Sequence, residues 1–524
     1  MNKLEHIVTW EIPNSWCYAK LEDLGSGENA IVDGPFGSNL KVSDYVAYST
    51  NGVPVLTTKN LEGDYSKDSV RYISQNKYEE IKRSKVQPGD ILVAKIGSIG
   101  KTGIYPAGMK TAIIPANLLK YSVTHSVEFK YVFSYLNFFA FQQFIKIIAT
   151  ATAQPAFNVT KFRKLPIPLP PKDEQHRIVF KSEELFSELD KGIENLKTAQ
   201  DQLKVYRQAL LKHAFEGKLT AQWRADNQDK LETTEALLKR IQQERTEHYK
   251  QQLAKWEAGG KEGSKPKAPK PLAPLITKEL AELPELPKEW GWVKVDVYCD
   301  LEKNSLKAGP FGSSLKKEFY VKKGYKVYGQ EQVISGDWTY GDYFIDEEKY
   351  LELESCKVKP FDILISLVGT VGKVLVLPED IAPGVINPRL VKITPNLKVV
   401  VPEFFKYYFE SSFLRGLYKL KTHGATMDVL NLGIIQELPF PICSLEEQKR
   451  MIESLEARLS EVDQLDQTII VALQQAEALR QSILKKAFSG QLMPQDPHDE
   501  PASALLARIK AEKLSQSENK KGRT

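Results

Sequence analysis

Apolar residues recur at seven-residue steps in two stretches of the chain. The positions are Leu189, Leu196, Leu203 and Leu210 in the first stretch, and Leu455, Val462, Ile469, Ala476 and Ile483 in the second. Gly192 and Arg458 interrupt the two series. Because this spacing aligns side chains along one side of a helix, it predicts two long helices that pair as an imperfect coiled coil. At about 1.5 Å per residue, some forty residues give a rod of roughly 60 Å.

The residues before each long helix have a mixed pattern. Asp90–Ala94 and Asp362–Ser366 are short apolar runs rich in β-branched residues, and Gly, Pro and Asn interrupt the chain around them. Tyr131–Ile148 and Glu403–Leu420 are aromatic-rich and have the period of amphipathic helices. The pattern therefore predicts α+β globular domains.

Each mixed region closes with a run of alternating prolines. The runs are Leu165–Pro170 and Leu438–Ile442, and this spacing tolerates only an edge strand or an extended segment. Ser444, three residues before Glu447, predicts a capping box at the start of the second long helix. Pro171 occupies the corresponding place before the first helix and predicts a proline-led first turn.

The same blocks occur twice, in the same order. Pro35 and Pro310 are 275 residues apart, and Asp90 and Asp362 are 272 apart. The shared blocks are Pro-x-x-Trp, Gly-Pro-Phe-Gly-Ser, Asp-Ile-Leu, Leu-Pro-x-Pro followed by Glu-Gln, and Ala-Phe-x-Gly. So constant an offset over so many blocks indicates tandem duplication of a whole module.

The repeat divides the chain into predicted segments. These are a first globular domain (1–165), a long helix with a helical extension (166–256), a linker rich in Lys, Pro and Gly (257–283), a second globular domain (284–438), a second long helix (439–492), and a C-terminal helix and tail (493–524). The composition of residues 259–274 is typical of a flexible tether. The tail from Lys510 onwards is predicted to be disordered.

Composition excludes some classes of protein and leaves others open. The chain has 524 residues, 42% of them hydrophobic, which is enough for several domains. It has no apolar run long enough for a membrane helix, and its start, Met1–His6, does not resemble a signal peptide, so we expect a cytoplasmic protein. The four cysteines are scattered, which argues against disulfides and a zinc site. A net charge of +5 requires any DNA-binding surface to be local.

Two candidate active sites fail when the repeats are compared. Gly97–Thr102 ends like a phosphate-binding loop, but Lys95 stands where the first glycine of that loop belongs. The second copy replaces the magnesium-binding hydroxyl by Val374, so a tight β-turn between two strands is the better interpretation, with Lys101 and Lys373 left open as DNA contacts. A nuclease centre built on Asp90 and Lys95 would lose its lysine in the second copy. We predict no catalytic and no metal-binding residues.

The Gly-Pro-Phe-Gly-Ser loop is the most specific local motif. We expect a rigid turn in which proline fixes φ, glycine permits positive φ and phenylalanine packs beneath. Its exposed polar residues, and those of the unlike inserts Val42–Val86 and Lys317–Val358, are candidates for phosphate or base contacts. The full set of predicted DNA-binding residues is Ser38, Asn39, Lys41, Lys59, Asn60, Lys95, Lys101, Ser313, Ser314, Lys316, Gln330, Glu331 and Lys373.

The ordered, duplicated blocks resemble the specificity (S) subunit of type I restriction-modification enzymes. The resemblance implies two tandem target recognition domains joined by two antiparallel coiled-coil helices with pseudo-twofold symmetry. It implies that the chain binds double-stranded DNA at a bipartite, asymmetric site, with the helices setting the gap. A chain of this family has no catalytic activity and binds no cofactor of its own.

The resemblance also implies partners. Two modification subunits would use S-adenosylmethionine to methylate adenine, and two restriction subunits would use ATP and Mg. Residues predicted to lie at the subunit interface are Leu189, Leu196, Leu203, Leu210, Phe215, Val462, Ile469, Ile483 and Phe488. A coiled-coil adaptor that binds no DNA and a single-chain nuclease or ATPase are the alternatives.

Overall fold

The chain folds into two compact units. The computed structural model describes residues 10–35, 37–48, 51–66, 69–150, 154–269, 271–272, 275, 280–281, 283–421 and 430–521. The first unit contains Met1–Lys197 and Ile470–Thr524, and the second contains Thr198–Ile469. Each unit therefore combines one copy of the mixed region with parts of both long helices. The predicted leader-free start, Met1–His6, and Phe36 of the first loop lie outside the described residues.

The first copy contains three sheets and a set of short helices. Its strands are β1 (Cys17–Lys20), β2 (Ile31–Asp33), β3 (Tyr45–Val46), β4 (Val53–Val55), β5 (Arg71–Ile73), β6 (Lys85–Val86), β7 (Ile91–Ala94), β8 (Thr102–Ile104), β9 (Ala112–Ile113), β10 (Leu118–Tyr121) and β11 (Pro166–Leu169). Its helices are α1 (Gln75–Ile81), α2 (Phe129–Leu136), α3 (Phe139–Ile148) and α4 (Val159–Arg163). The sheets have strand orders β2-β10-β7-β8, β3-β5-β4-β9-β6 and β1-β11.

The chain continues with the long helix α5 (Lys172–Phe215), α6 (Ala221–Asp226) and α7 (Thr234–Ala258). The second copy then contributes β12 (Gly291–Lys294), β13 (Leu306–Ala308), β14 (Tyr325–Tyr328), α8 (Gln330–Ser335), β15 (Phe344–Ile345), α9 (Glu347–Glu352), β16 (Ile363–Ser366), β17 (Val374–Val376), β18 (Gly384–Ile386), β19 (Leu390–Ile393), α10 (Pro402–Phe409), α11 (Ser412–Lys421), α12 (Leu432–Glu437) and β20 (Pro439–Ile442). The second long helix, α13 (Leu445–Phe488), and α14 (Ala502–Lys521) follow.

The two copies share a four-stranded sheet and differ in their inserts. The sheet β13-β19-β16-β17 repeats the order β2-β10-β7-β8, and its central strand β16 is buried like β7. The insert of the first copy contributes four strands to the five-stranded sheet β3-β5-β4-β9-β6, whereas that of the second contributes two strands to the three-stranded sheet β15-β14-β18. The sequence difference between the inserts is therefore also a difference in architecture.

Two predicted elements differ from those in the structure. Each predicted aromatic-rich helix is split in two, at Asn137 and at Glu410, where backbone N–H groups bond back into the preceding turn. The predicted capping box at Ser444 is only half made: the Glu447 N–H bonds to Ser444 Oγ at 3.4 Å, while the Glu447 side chain binds elsewhere. The edge position of both proline-spaced strands is confirmed, since β11 pairs only with β1 and β20 only with β12 among the described residues.

The long helices pair antiparallel in each unit. In the second unit, Gln200 donates to Asp466 at 2.9 Å and Arg207 pairs with Asp463 at 2.5 Å, so positions later in α5 meet earlier ones in α13. In the first unit, Arg480 pairs with Asp190. The predicted antiparallel pairing of two long helices is thus confirmed.

The segment after each long helix packs on the opposite copy. Leu237 and Ile241 of α7 lie in one core with Trp290, and Leu505 and Ile509 of α14 lie in another with Trp16. The prediction of a disordered tail from Lys510 is wrong, because α14 continues to Lys521.

All four cysteines are free thiols. Burial raises the pKa of the Cys299 thiol to about 12, so it is protonated at neutral pH. Among the helices of the described residues, none has the length and apolarity to span a membrane.

Candidate nucleic-acid interface

A buried ion pair supports the four-stranded sheet in each copy. Lys120 lies 3.9 Å from Asp90, and Lys392 lies 3.5 Å from Asp362. Each aspartate also accepts a backbone N–H three residues before it. Burial raises the pKa of Asp362, although Lys392 partly opposes this shift. Asp90 and Asp362 therefore hold the sheet together and are not exposed for metal chemistry.

The Gly-x-x-Gly-Lys segments are tight turns, as predicted. The Ala94 N–H donates to the Lys101 carbonyl at 2.8 Å, and the equivalent bond joins Ser366 to Lys373 at 3.0 Å. All four glycines have φ between +70° and +82°. Lys101 is exposed and pairs with Glu62, whereas Lys373 is half-buried. The turn thus connects two strands of the sheet in each copy.

The Gly-Pro-Phe-Gly-Ser loop is held by its first glycine. A side chain at Gly34 would collide with the backbone of Pro115, and one at Gly309 with that of Asn387. In the second copy, two further parts of the prediction are wrong: Phe311 is 87% exposed and does not pack beneath the loop, and Gly312 does not have positive φ. The start of the loop is therefore clamped against the end of a neighbouring strand in each copy.

Most of the predicted contact residues of the loop are exposed to solvent. Those that are exposed are Ser38, Asn39, Lys41, Ser313 and Lys316, while Ser314 is half-buried. The clamped loop therefore presents hydroxyl, amide and ammonium groups at the surface in each unit.

Different charged groups lie beside the loop in the two copies. In the first, Lys95 pairs with Asp33 at 2.6 Å. In the second copy, the uncharged residues Leu367 and Ala308 occupy the matching positions. The cation of this copy is Arg389, whose guanidinium donates a hydrogen bond to the Gln330 side chain at 3.5 Å. The shared fold thus presents a lysine–aspartate pair in one unit and an arginine–glutamine pair in the other.

Gln330 is buried and fixed. Its amide donates to Ser366 Oγ at 2.8 Å and to the Val368 carbonyl, which leaves the amide oxygen for Arg389. Arg389 itself is exposed and was missed by the sequence reasoning. Comparing it with Asn117, the residue 272 positions earlier, would have shown that a charge appears here in only one copy.

The remaining candidates are divided by burial. Lys59 and Glu331 are exposed. Asn60 is buried, accepts the Thr57 N–H at 2.5 Å and donates to the Asp64 carbonyl at 2.5 Å, so it holds a turn in the middle of the insert. The exposed candidates of each unit therefore lie on the loop and on the insert.

The comparisons with known proteins agree with this duplicated architecture. The family model for the type I restriction modification DNA specificity domain matches residues 39–205 and again 309–475. The chain belongs to this family. The sequence-based prediction that the chain is a non-catalytic DNA specificity subunit of this family is thereby confirmed.

Two relatives show how far the similarity extends. A putative type I restriction enzyme MjaX specificity subunit of Methanocaldococcus jannaschii is 23% identical over 489 residues, 92% of this chain and 95% of the relative. The type I restriction enzyme EcoBI specificity subunit of Escherichia coli is 29% identical over 187 residues, 34% of this chain and 39% of the relative. A solved chain from a study of type I R-M system assembly and conformational transition has a TM-score of 0.60 at 16% identity, covering 92% of this chain and all of its own.

Most of the residues predicted to lie at the specificity subunit's interface with partners are packed inside its own units. Those that are buried are Leu210, Phe215, Val462, Ile469, Ile483 and Phe488, while Leu189, Leu196 and Leu203 are half-buried. The largest apolar exposures on the helices are instead at Val205 and Phe180, which are 71% and 74% exposed. The predicted interface thus lies beside exposed apolar positions that the heptad pattern did not single out.

A buried carboxylate marks the start of each long helix. Glu174 accepts the Trp16 indole N–H at 2.8 Å and the Gln495 amide at 2.6 Å. Glu447 accepts the Thr220 hydroxyl at 2.7 Å and pairs with Arg224 at 2.8 Å. Each specificity domain is thereby joined to the segment that follows the other domain's helix.

Proposed function

We propose that the two units read the two halves of a split, asymmetric DNA sequence. The observation that carries this proposal is the combination of a shared buried framework with unlike inserts. The Asp90–Lys120 and Asp362–Lys392 pairs repeat, whereas the inserts contribute four strands to a five-stranded sheet in one copy and two strands to a three-stranded sheet in the other. A duplicated framework that served one target would have no need of two different surfaces.

Loop and insert have different roles in this proposal. Lys41 and Lys316, at equivalent places after the clamped loop, bind phosphates and set the register of each unit on the duplex. Base edges are read by groups that differ between the copies, among them Lys59 and Arg389. Arg389 suits guanine because its planar guanidinium donates to two acceptors at once, and Gln330 holds it in place.

The long helices act as the spacer. Each has 44 residues, or about 66 Å at about 1.5 Å per residue. Rigid helices fix the distance between half-sites as dimer geometry does in other DNA readers.

The catalytic steps belong to partners. Modification subunits, two per chain, supply adenine methylation with S-adenosylmethionine, and two restriction subunits supply ATP- and Mg-dependent translocation and cleavage. The exposed apolar positions of the helices, such as Val205 and Leu465, support docking because apolar area of this kind is otherwise left in water.

The test is to co-express the chain with its modification subunit in an unmethylated host and map N6-methyladenine by single-molecule sequencing. We expect one methylated motif, with two unlike halves and a gap of fixed length. A symmetric motif would contradict two different readers. No new methylation by a complex shown to assemble would contradict DNA reading and favour the adaptor alternative.

A further inference from the structure

The ring of Phe311 stands in solvent on the second unit. Its side chain is 87% exposed, which is the highest value for a large hydrophobic residue in the described part of the chain. Phenylalanine is normally found at least partly buried, because its apolar surface is unfavourable in water. Phe311 therefore adds nothing to the core of the unit that carries it.

The same phenylalanine occurs in both copies, although the sequences that follow it differ. Residues 34–38 and 309–313 are identical, whereas the inserts that begin a few residues later share almost no residues. Since the ring of Phe311 does not pack beneath its loop, core packing does not explain why it is repeated in the second copy. Its repetition indicates a binding role that both units share.

The loop that carries Phe311 is held at both of its ends. At its start, the Gly309 N–H donates to the Leu390 carbonyl at 2.8 Å. At its end, Leu315 is 5% exposed and packs in the core of the insert. Between these ends, the Ser314 N–H donates to the Phe311 carbonyl at 2.8 Å and closes a turn. The backbone at Phe311 is therefore ordered before any partner binds, which lowers the entropic cost of binding.

A basic segment follows the ring. Residues 311–324 contain four lysines and a single acidic residue, Glu318. All four lysines are exposed: Lys316, Lys317, Lys322 and Lys323. Lys316 lies 3.5 Å from Glu318, so the segment keeps a net positive charge after this pair is counted. An apolar ring with ammonium groups around it complements duplex DNA, whose stacked bases lie between two rows of phosphates.

We propose that Phe311 inserts its ring between two adjacent base pairs of the DNA half-site bound by the second unit. The loop lies in the DNA specificity domain, whose second match begins at residue 309, and the half-site rests on the proposed function. Gly312, beside the ring, has only open space where a side chain would stand, so the ring can enter a narrow gap. Apolar wedges of this kind unstack and kink a base step. Because pyrimidine–purine steps unstack most easily, the wedge also favours some sequences over others.

The test uses the complex of the full chain with its modification subunit and a duplex carrying the methylated motif. Fluorescence anisotropy measures affinity, and energy transfer between dyes at the two ends of the duplex measures bending. We expect Phe311→Ala to bind about tenfold more weakly and to bend the duplex less. Phe311→Leu keeps an apolar wedge and should retain most of the bend. Leu397→Ala, at a position of the same unit that is 48% exposed and lies outside the loop and the insert, should change neither quantity.

Three outcomes would count against the proposal. Unchanged DNA affinity of Phe311→Ala would overturn it. Weaker DNA binding with an unchanged bend would also overturn it, because the ring would then touch a groove without entering the stack. Weaker binding of the modification subunit, with DNA affinity per assembled complex unchanged, would assign the ring to a protein interface. A failure of the proposed function would look different, because the unaltered complex would then bind the motif no better than a scrambled duplex.

Discussion

Buried side chains hold the parts of each unit together, and this explains why the same side chains recur at matched positions in the two copies. The Glu447 side chain is fully buried, and Arg224, with 13% of its side chain exposed, supplies its only cation in the described structure. Arg224 also lies over the Trp290 ring, 5.7 Å from its centroid. A buried carboxylate needs such a partner because desolvation of an unpaired charge is costly.

Removing that partner should destabilise the second unit. Arg224→Ala leaves Glu447 buried without its cation, which costs about 3 kcal/mol. Native-state hydrogen exchange of the second unit measures the loss, while the first unit should keep its protection. Lys204→Ala, which breaks an exposed pair with Asp201, is the matched control and should cost less than about 0.5 kcal/mol. Equal effects of the two substitutions would refute this account of the buried pair.

The pH dependence of Asp362 should be opposite to that of an ordinary salt-bridged aspartate. Burial raises the pKa of Asp362 above 3.8 in the folded chain. Between the pKa of this group in the unfolded chain, 3.8, and its raised pKa in the folded chain, the folded state binds more protons than the unfolded state. This group's contribution to stability therefore falls as pH rises through that window. The unfolding free energy of the unaltered chain relative to Asp362→Asn should therefore increase as pH falls through that window. A difference that decreases would mean that the Lys392 pairing dominates.

At the scale of elements, the ends of the long helices explain two motifs at once. Gly217 and Gly490 have φ of +69° and +71°, which is the left-handed conformation that ends a helix. A side chain at either would also collide with the proline of the Pro-x-x-Trp block, Pro287 or Pro13. The Ala-Phe-x-Gly and Pro-x-x-Trp motifs therefore fit against each other.

Two glycine substitutions should have opposite effects. Gly490→Ala combines a positive φ with a collision and should destabilise the first unit by more than about 1 kcal/mol. Gly192→Ala, within α5 and with no atom near the added Cβ, should stabilise it by about 1 kcal/mol. Thermal and chemical denaturation of both variants measures the difference. Destabilisation by Gly192→Ala would show that this break in the heptads has a role of its own.

Exposed apolar positions on the helices should affect assembly and not folding. Val205→Glu with Leu465→Glu places charges where the side chains are 71% and 54% exposed, so stability should be unchanged. Affinity for the modification subunit should fall at least tenfold if these positions are docked in the complex. Lys204→Glu, next to Val205 and also exposed, is the control for charge alone.

At the scale of the whole molecule, the sequence predicted the duplication, the α+β domains and the paired helices. These follow from local periods and a constant offset. That the segment after each long helix packs on the opposite copy could not be predicted from the sequence. The contacts that hold these segments join residues far apart in the chain: Glu447 and Thr220 are 227 residues apart, and Glu174 and Gln495 are 321 apart. No period connects such positions. Arg389 was missed for a related reason: its importance comes from Gln330 and the loop beside it, which only the fold brings together.

The central claim is that two unlike readers share one spacer. The measurement that tests it most directly replaces residues 1–165 by the corresponding domain of another specificity subunit and maps N6-methyladenine before and after the exchange. We predict that one half of the methylated sequence changes, while the other half and the gap length are kept. A change in both halves, or an unchanged motif from an assembled complex, would contradict the account.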